Sequence, residues 1–182
     1  MLLLLVFIFG SGIIVYVSRA SLRAPRSHGF YRFFAWETIL ALTVLNLDRW
    51  FAHPFAWYQL VSWSLLVISL FLVIHGVRLL KQMGSQNAQR DDSPMLAFEK
   101  TTTIVTVGAY RYIRHPLYSS LLFLAWGVAF KALGWLNILL ALIATLFLVA
   151  TARAEEAKDV RFFGPAYQEY MQHTRMFIPF VL

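Results

Sequence analysis

The residue types best suited to chemistry lie together in residues 108–118, which read GAYRYIRHPLY. Arg114 supplies a permanent positive charge and a planar fork that suits a carboxylate, and His115 can hydrogen-bond or carry a proton near neutral pH. Pro116 fits the first turn of a helix, where free backbone N–H groups favour an anion. Alone, this motif stretch fits two roles equally well: an anchor at the edge of a membrane, or the wall of an active site.

A second polar group, Arg153-Ala154-Glu155-Glu156, follows a long apolar run. Carboxylates are costly inside a bilayer and unfavourable near the C-terminal end of a helix. The pair is therefore either a solvated helix end, balanced by Arg153 or Lys158, or a site that holds a cation or a ligand hydroxyl pair.

The C-terminal tail adds aromatic side chains. Gly164-Pro165 marks a stop and a restart of helix, and Tyr167, Tyr170 and Met171 then share one helical face. This pattern predicts an amphipathic helix that lies on a membrane or docks on the rest of the protein.

Most other residues form the apolar elements that must position these groups. The 182 residues are 59% hydrophobic and 14% charged, whereas soluble domains average about 25% charged residues. Apolar segments cover residues 1–17, 33–47, 55–80, 117–130 and 135–151. We therefore predict a single all-α domain, residues 1–182: a polytopic membrane protein with five transmembrane helices, the last two a helical hairpin, plus a C-terminal cytoplasmic helix. The weakest segments are the second, which carries Glu37, and the short fourth.

The positive charges orient these segments. All but two of the 16 Lys and Arg residues fall in three regions: the loop that directly follows the first segment, residues 78–114, and the tail from Arg153. The exceptions are Arg49 and Lys131. Because positive loops stay on the cytoplasmic side, we expect the N-terminus outside, and the polar loop 81–107, the motif stretch and the C-terminus in the cytoplasm. The net charge of +7 then indicates a lipid bilayer as partner and no nucleic acid.

Several kinds of chemistry lack the residues that they need. The chain has no cysteine and no zinc, Walker or glycine-rich dinucleotide motif. His28, His53 and His173 fall in predicted loops without metal-ligand spacing, and His75 falls at a predicted membrane interface. The sequence therefore predicts no metal site and gives no support for hydride or phosphoryl transfer.

Taken together, these pieces resemble the isoprenylcysteine carboxyl methyltransferase family of integral-membrane methyltransferases, which is related to phospholipid methyltransferases. The resemblance rests on the motif stretch, Glu155-Glu156, Phe163-Gly164 with Tyr167 and Tyr170, and the closing Phe177-Ile178-Pro179. It covers residues 78–182, and residues 1–77 carry no motif of that family. The chain departs from the pattern at Ser119-Ser120, where many members have glycine.

The resemblance implies an enzyme that binds S-adenosylmethionine in a pocket facing the cytoplasm. By position, it implies that Tyr112, His115, Tyr118 and Glu155 bind this cofactor and that Arg114 and Glu156 act at the reacting centre. Tyrosine rings and a carboxylate suit a sulfonium cation. Arg114 can clamp a substrate carboxylate, whereas Glu156 can act as a base toward an amine or a thiol.

The methyl acceptor stays open at this point. The expected acceptor is lipophilic or small and apolar, for example the carboxylate of a C-terminal prenylcysteine. The alternatives are a phospholipid amine and, in a different class, a non-catalytic membrane scaffold or transport protein. Arg114, His115 and the Glu155-Glu156 pair argue for the enzyme, because a scaffold needs none of them. Nothing in the sequence indicates an oligomeric state.

Overall fold

A computed structural model describes residues 1–84 and 101–180. These residues form six α-helices and two short 3₁₀ helices: α1 Leu2–Leu22, α2 His28–Leu45, 3₁₀ Leu47–Arg49, α3 Trp57–Met83, 3₁₀ Gly108–Arg111, α4 Pro116–Ala129, α5 Trp135–Phe163 and α6 Pro165–His173. The β structure of the described residues is limited to an isolated parallel bridge between Ile113 and Arg175. The all-α class is therefore confirmed. Residues 85–100 of the predicted polar loop lie outside the described residues.

Among the described residues, three helices are long and apolar enough to cross a membrane: α1, α3 and α5. The large apolar side chains that they leave exposed suit a lipid environment. Helix α4 has 14 residues, a length of about 21 Å, which is less than a hydrocarbon core of about 30 Å. The count of five spans therefore stays a prediction, while the apolar helices make this a membrane protein.

The helices pack through small residues. Helix α4 lies against α3 and α5, α2 packs along α5, and α1 packs on α2. Lipid is as apolar as a leucine side chain, so helices in a membrane associate by close van der Waals contact, which small residues permit. The buried residues where α2, α4 and α5 meet include Ala35, Ala125, Ala129, Ala141, Ala144 and Ala152. Between α1 and α2, Ser11 donates a hydrogen bond to the Glu37 carboxylate at 3.0 Å.

Buried polar pairs join the helices at the end far from the motif stretch. The side-chain amides of Asn46 and Asn137 donate to each other's oxygens at 3.1 and 3.0 Å, which ties the end of α2 to α5. Lys131, which lies between the last two apolar segments of the sequence, is buried. Its Nζ donates to Gln59 Oε1 at 3.1 Å and lies 3.4 Å from the ring centroid of Trp63.

Replacing Asn137 by Leu is expected to lower the free energy of unfolding by about 1–3 kcal/mol, because the buried Asn46 Oδ1 loses its donor, while Asn46 Nδ2 keeps the Leu42 carbonyl oxygen. Unfolding of the protein in detergent micelles measures this loss. The matched control is Asn46→Leu/Asn137→Leu, which removes both amides and should recover part of the stability. A double variant whose loss equals the sum of the two single losses would contradict a direct coupling.

Two of the helix boundaries that differ from the predicted ones affect the site. The sequence predicts that the second segment begins at residue 33, but α2 begins at His28, because the Ser27 side chain accepts a hydrogen bond from the Phe30 N–H at 3.1 Å and caps the helix. The fifth apolar run ends at residue 151, but α5 continues to Phe163. It ends at Gly164, whose φ of 62° and ψ of −137° are accessible almost only to glycine. Glu155 and Glu156 therefore lie well inside a helix, not at its end.

Candidate active site

The motif stretch is held in place by backbone pairing with the C-terminal tail. The N–H groups of Arg114 and His115 donate to the carbonyl oxygens of Arg175 at 2.7 Å and Met176 at 3.2 Å, and the Arg175 N–H donates to the Tyr112 oxygen at 3.0 Å. The stretch begins at Gly108, which has a φ of +58°, and a Cβ there would lie 2.5 Å from His75 Nε2. The close approach to α3 therefore requires glycine at this position.

Arg114 connects α5 to the tail. Its Nε donates to Glu156 Oε1 at 2.6 Å, and its Nη1 donates to the carbonyl oxygens of Thr174 at 2.5 Å and Met171 at 3.3 Å. The side chains of Arg114 and Glu156 are each only 10% exposed. The guanidinium group thus donates hydrogen bonds to a buried carboxylate and to two carbonyl oxygens, one in the last turn of α6 and one directly after that helix.

His115 lies between the two carboxylates of α5. Its Nε2 is 3.3 Å from Glu156 Oε1 and its Nδ1 is 3.4 Å from Glu155 Oε2. The Tyr118 ring stacks on the imidazole at a centroid distance of 5.4 Å. Burial lowers the pKa of His115, but the hydrogen bonds and negative charges of Glu155 and Glu156 outweigh this effect and raise the pKa from 6.5 to about 9. The imidazole is therefore protonated at neutral pH.

This raised pKa predicts a pH-dependent stability. A group whose pKa is higher in the folded state stabilises the protein fully below its unfolded pKa, and the stabilisation is lost as the pH rises through the folded pKa. For His115 the loss falls between about pH 6.5 and about 9. Unfolding temperatures measured at pH 6 and at pH 9.5 should therefore differ more for the wild type than for His115→Gln. Equal differences for the two proteins would show that His115 is not the titrating group.

Beside this cluster lies an open cavity with an empty volume of about 660 Å³. Its lining combines aromatic and charged side chains with an apolar edge. The aromatic ones are Tyr110, Tyr118, Phe163, Tyr167 and Tyr170, the charged ones are Arg114, His115, Glu155 and Asp159, and the edge includes Leu80, Ile104, Val105 and Leu117. Burial, followed by the negative charge of Asp159, raises the pKa of Tyr167 above its ordinary value. This tyrosine therefore stays neutral.

The structure brings most of the predicted site residues to this cavity. Arg114, His115, Tyr118 and Glu155 line it. Glu156 does not line it but lies behind Arg114 and His115 and binds both. Tyr112 is 50% exposed and outside the lining, so its role in cofactor binding stays a prediction that its position does not support.

The structure adds residues that the sequence analysis did not assign. Asp159 lines the cavity, and its spacing of four from Glu155 on one helix could have indicated a shared face. Tyr110 lies in the motif stretch, and the Tyr170 hydroxyl donates to its backbone oxygen at 2.6 Å. His28, predicted in a loop, is fully buried and close enough to Glu155 for their charges to interact. Ser27 is a residue type that commonly caps helices, and this signal in the sequence could have placed His28 in a helix.

Ser119 is one of the two residues at which the chain departs from the family pattern, and it has a structural role. Its hydroxyl lies 2.9 Å from the His115 carbonyl oxygen and 2.8 Å from that of Phe177. The first turn of α4 is therefore bound to the closing residues of the chain, in addition to the backbone pairing of the motif stretch.

Comparison with known proteins relates this sequence to methyltransferases. A family model described as phospholipid methyltransferase matches residues 57–166. The matched range contains Arg114, His115, Glu155, Glu156 and Asp159. No solved structure matches the chain significantly.

Curated relatives point the same way. A methanethiol S-methyltransferase of Crocosphaera subtropica is 26% identical over 82% of this chain and 55% of that protein, and one of Pseudomonas deceptionensis is 25% identical over 65% of this chain and 42% of that protein. A probable protein-S-isoprenylcysteine O-methyltransferase of Oryza sativa subsp. indica is 28% identical over 65% of this chain and 63% of that protein. The chain spans about half the length of the first of these relatives.

Proposed function

The chain belongs to the phospholipid methyltransferase family, and from this membership we propose that it transfers a methyl group from S-adenosylmethionine to a small apolar thiol. The observation that carries the proposal is the composition of the cavity. Tyrosine rings and the carboxylates of Glu155 and Asp159 line it together with the cations of Arg114 and His115.

The lining fits this cofactor. When bound, S-adenosylmethionine supplies a methyl group made electrophilic by a positively charged sulfur. The carboxylates of Glu155 and Asp159 attract positive charge, and the faces of tyrosine rings favour cations and stack on nucleobases. In this proposal Tyr118, Glu155 and Asp159 hold the cofactor.

Arg114 and His115 favour an acceptor that reacts as an anion. A nearby positive charge lowers the pKa of a bound thiol, so the thiol proton leaves to solvent and the thiolate sulfur remains beside these two residues. His115 does not act as the base at neutral pH, because its raised pKa of about 9 keeps it protonated. Glu156 is bound by both cations, so in this proposal it positions them and takes no proton.

The names of the relatives, more than the charges of the cavity, rank the acceptor classes. Thiolates and carboxylates gain from a position beside Arg114 and His115, whereas a cationic phospholipid amine gains from a position beside Glu155 and Asp159. Relatives named for methanethiol and for isoprenylcysteine fall in the thiol and carboxylate classes. We place the small thiol first because the first relatives named above act on methanethiol by name.

The test offers three acceptors to the purified protein with methyl-labelled S-adenosylmethionine: methanethiol, N-acetyl-S-farnesylcysteine and phosphatidylethanolamine. We expect the label in dimethyl sulfide. Label only in the farnesylcysteine ester or only in the lipid would replace the thiol by a carboxylate or an amine. A protein that binds the cofactor but labels none of them would be a non-catalytic member of the family.

We also propose that the protein is an integral membrane protein with its N-terminus outside and the cavity facing the cytoplasm. The asymmetry of Lys and Arg residues supports this orientation. A reporter fused after Leu182 should be active only in the cytoplasm, and a reporter active only outside would overturn the orientation.

A further inference from the structure

Arg114 also borders a second cavity. It has an empty volume of about 860 Å³, and Arg114 lines both cavities. Beyond Arg114, its charged lining consists of Arg153 from α5 and Arg175 from the tail, and no carboxylate belongs to it. The cavity is therefore strongly positive, unlike the first one, which mixes both signs of charge.

The charges of Arg153 and Arg175 are available to a ligand. Both residues are exposed, and none of the ion pairs of the described residues involves either of them. The Arg175 backbone is hydrogen-bonded to the backbones of Tyr112 and Arg114. These bonds fix the backbone position from which the Arg175 side chain extends. Two guanidinium groups without carboxylate partners at one cavity suit a phosphate, because each can bind it through two parallel hydrogen bonds.

The position of the cavity along α5 indicates what carries this phosphate. Val149, in the apolar run, and Arg153, one turn later, both line it, together with Met171 and Met176. The lining thus changes from apolar to basic where the membrane-crossing part of α5 ends, at the depth of lipid headgroups. Methionine side chains are flexible and adapt to irregular apolar partners, as glycerol and the first acyl carbons require.

We propose that this second cavity binds the headgroup of an anionic phospholipid, with its phosphate between Arg153 and Arg175 and its glycerol end against Val149, Met171 and Met176. Basic pockets at the ends of transmembrane helices bind anionic lipids in this way. This lipid is a bound partner and not the methyl acceptor, so the proposal goes beyond the proposed function and holds whether or not methyl transfer is observed. Because Arg114 lines both cavities, the lipid lies next to the residue that ties α5 to the tail.

Native mass spectrometry of the detergent-purified protein, titrated with phosphatidylglycerol or with phosphatidylcholine, tests the proposal. The wild type should bind phosphatidylglycerol at least about tenfold more tightly. Arg153→Gln/Arg175→Gln should lose this preference. The matched control Arg23→Gln/Arg161→Gln removes the same charge at exposed residues outside the cavity and should keep it.

Each possible result of this experiment either supports or overturns the proposed lipid site. Equal binding of the two lipids by the wild type, which needs no variant to fold, would overturn the proposal, as would an equal loss of preference in the control. Millimolar inorganic phosphate that displaces phosphatidylglycerol completely would identify a free anion as the ligand and overturn the lipid. Retention of phosphatidylglycerol in the presence of phosphate, with loss only in the Arg153/Arg175 variant, would support it.

Discussion

Replacing Arg114 by Ala is expected to lower the free energy of unfolding by about 3–5 kcal/mol, because it breaks the buried ion pair with Glu156 and leaves His115 as the remaining cation beside that carboxylate. The same change removes the donors to the carbonyl oxygens of Met171 and Thr174. The tail that closes the site then loses its hydrogen-bonded link to α5 through Arg114. Methyl transfer should fall by a factor of about 100 or more, since a small displacement of positioning groups is enough for such a loss. Thermal unfolding and the labelling assay measure the two effects.

Two matched variants separate the causes of that loss. Arg114→Lys keeps the charge but not the planar fork, so it should be intermediate in stability and activity. Arg111→Ala removes an exposed arginine of the same motif stretch and should leave both nearly unchanged. A loss in Arg111→Ala as large as in Arg114→Ala would show that the motif stretch acts through its overall charge, contrary to the geometry.

Replacing Glu155 by Gln is expected to weaken the binding of S-adenosylmethionine by about 10–100-fold. Hydrogen bonds to charged groups contribute about 1.5–3 kcal/mol, and each 1.4 kcal/mol is about a factor of ten in affinity. The substitution keeps the shape of the side chain, and His115 keeps Glu156 as a partner. Titration calorimetry measures the affinity.

Glu169 provides the control for this prediction. It is an exposed carboxylate of α6 outside the lining of the cavity, so Glu169→Gln makes the same charge change away from the site. We expect wild-type affinity for Glu169→Gln. Equal weakening by the two changes would mean that the cofactor responds to the net charge of the protein and not to Glu155.

Arg114, His115, Glu155 and Glu156 could be singled out from the sequence because their side chains are ionic and their positions border apolar runs. Their pairing with one another could not be predicted, since 41 and 42 residues separate the partners in the chain. The tail could not be placed, since it joins the motif stretch through backbone atoms, which carry no signal in residue type. Tyr112 illustrates the same limit: in short irregular backbone, neighbouring side chains point in different directions, and only Tyr110 of this pair reaches the cavity.

Burial explains the remaining differences. His28 was expected in a loop because the apolar pattern starts at residue 33, but the helix extends to its Ser27 cap and buries the imidazole. Lys131 is buried as well, because Gln59 and Trp63 provide an oxygen and a ring face that stabilise its charge. The partners that stabilise such a buried charge are far away in the sequence, so the local sequence pattern does not predict its burial.

We expect the cavity between the motif stretch, α5 and α6 to hold the methyl donor. A crystal structure of the protein with S-adenosylhomocysteine, the demethylated product, tests it most directly. We predict density for this molecule in the first cavity, in contact with Glu155 and with the ring of Tyr118. Density in the second cavity beside Arg153 and Arg175, with the first cavity empty, would contradict the account.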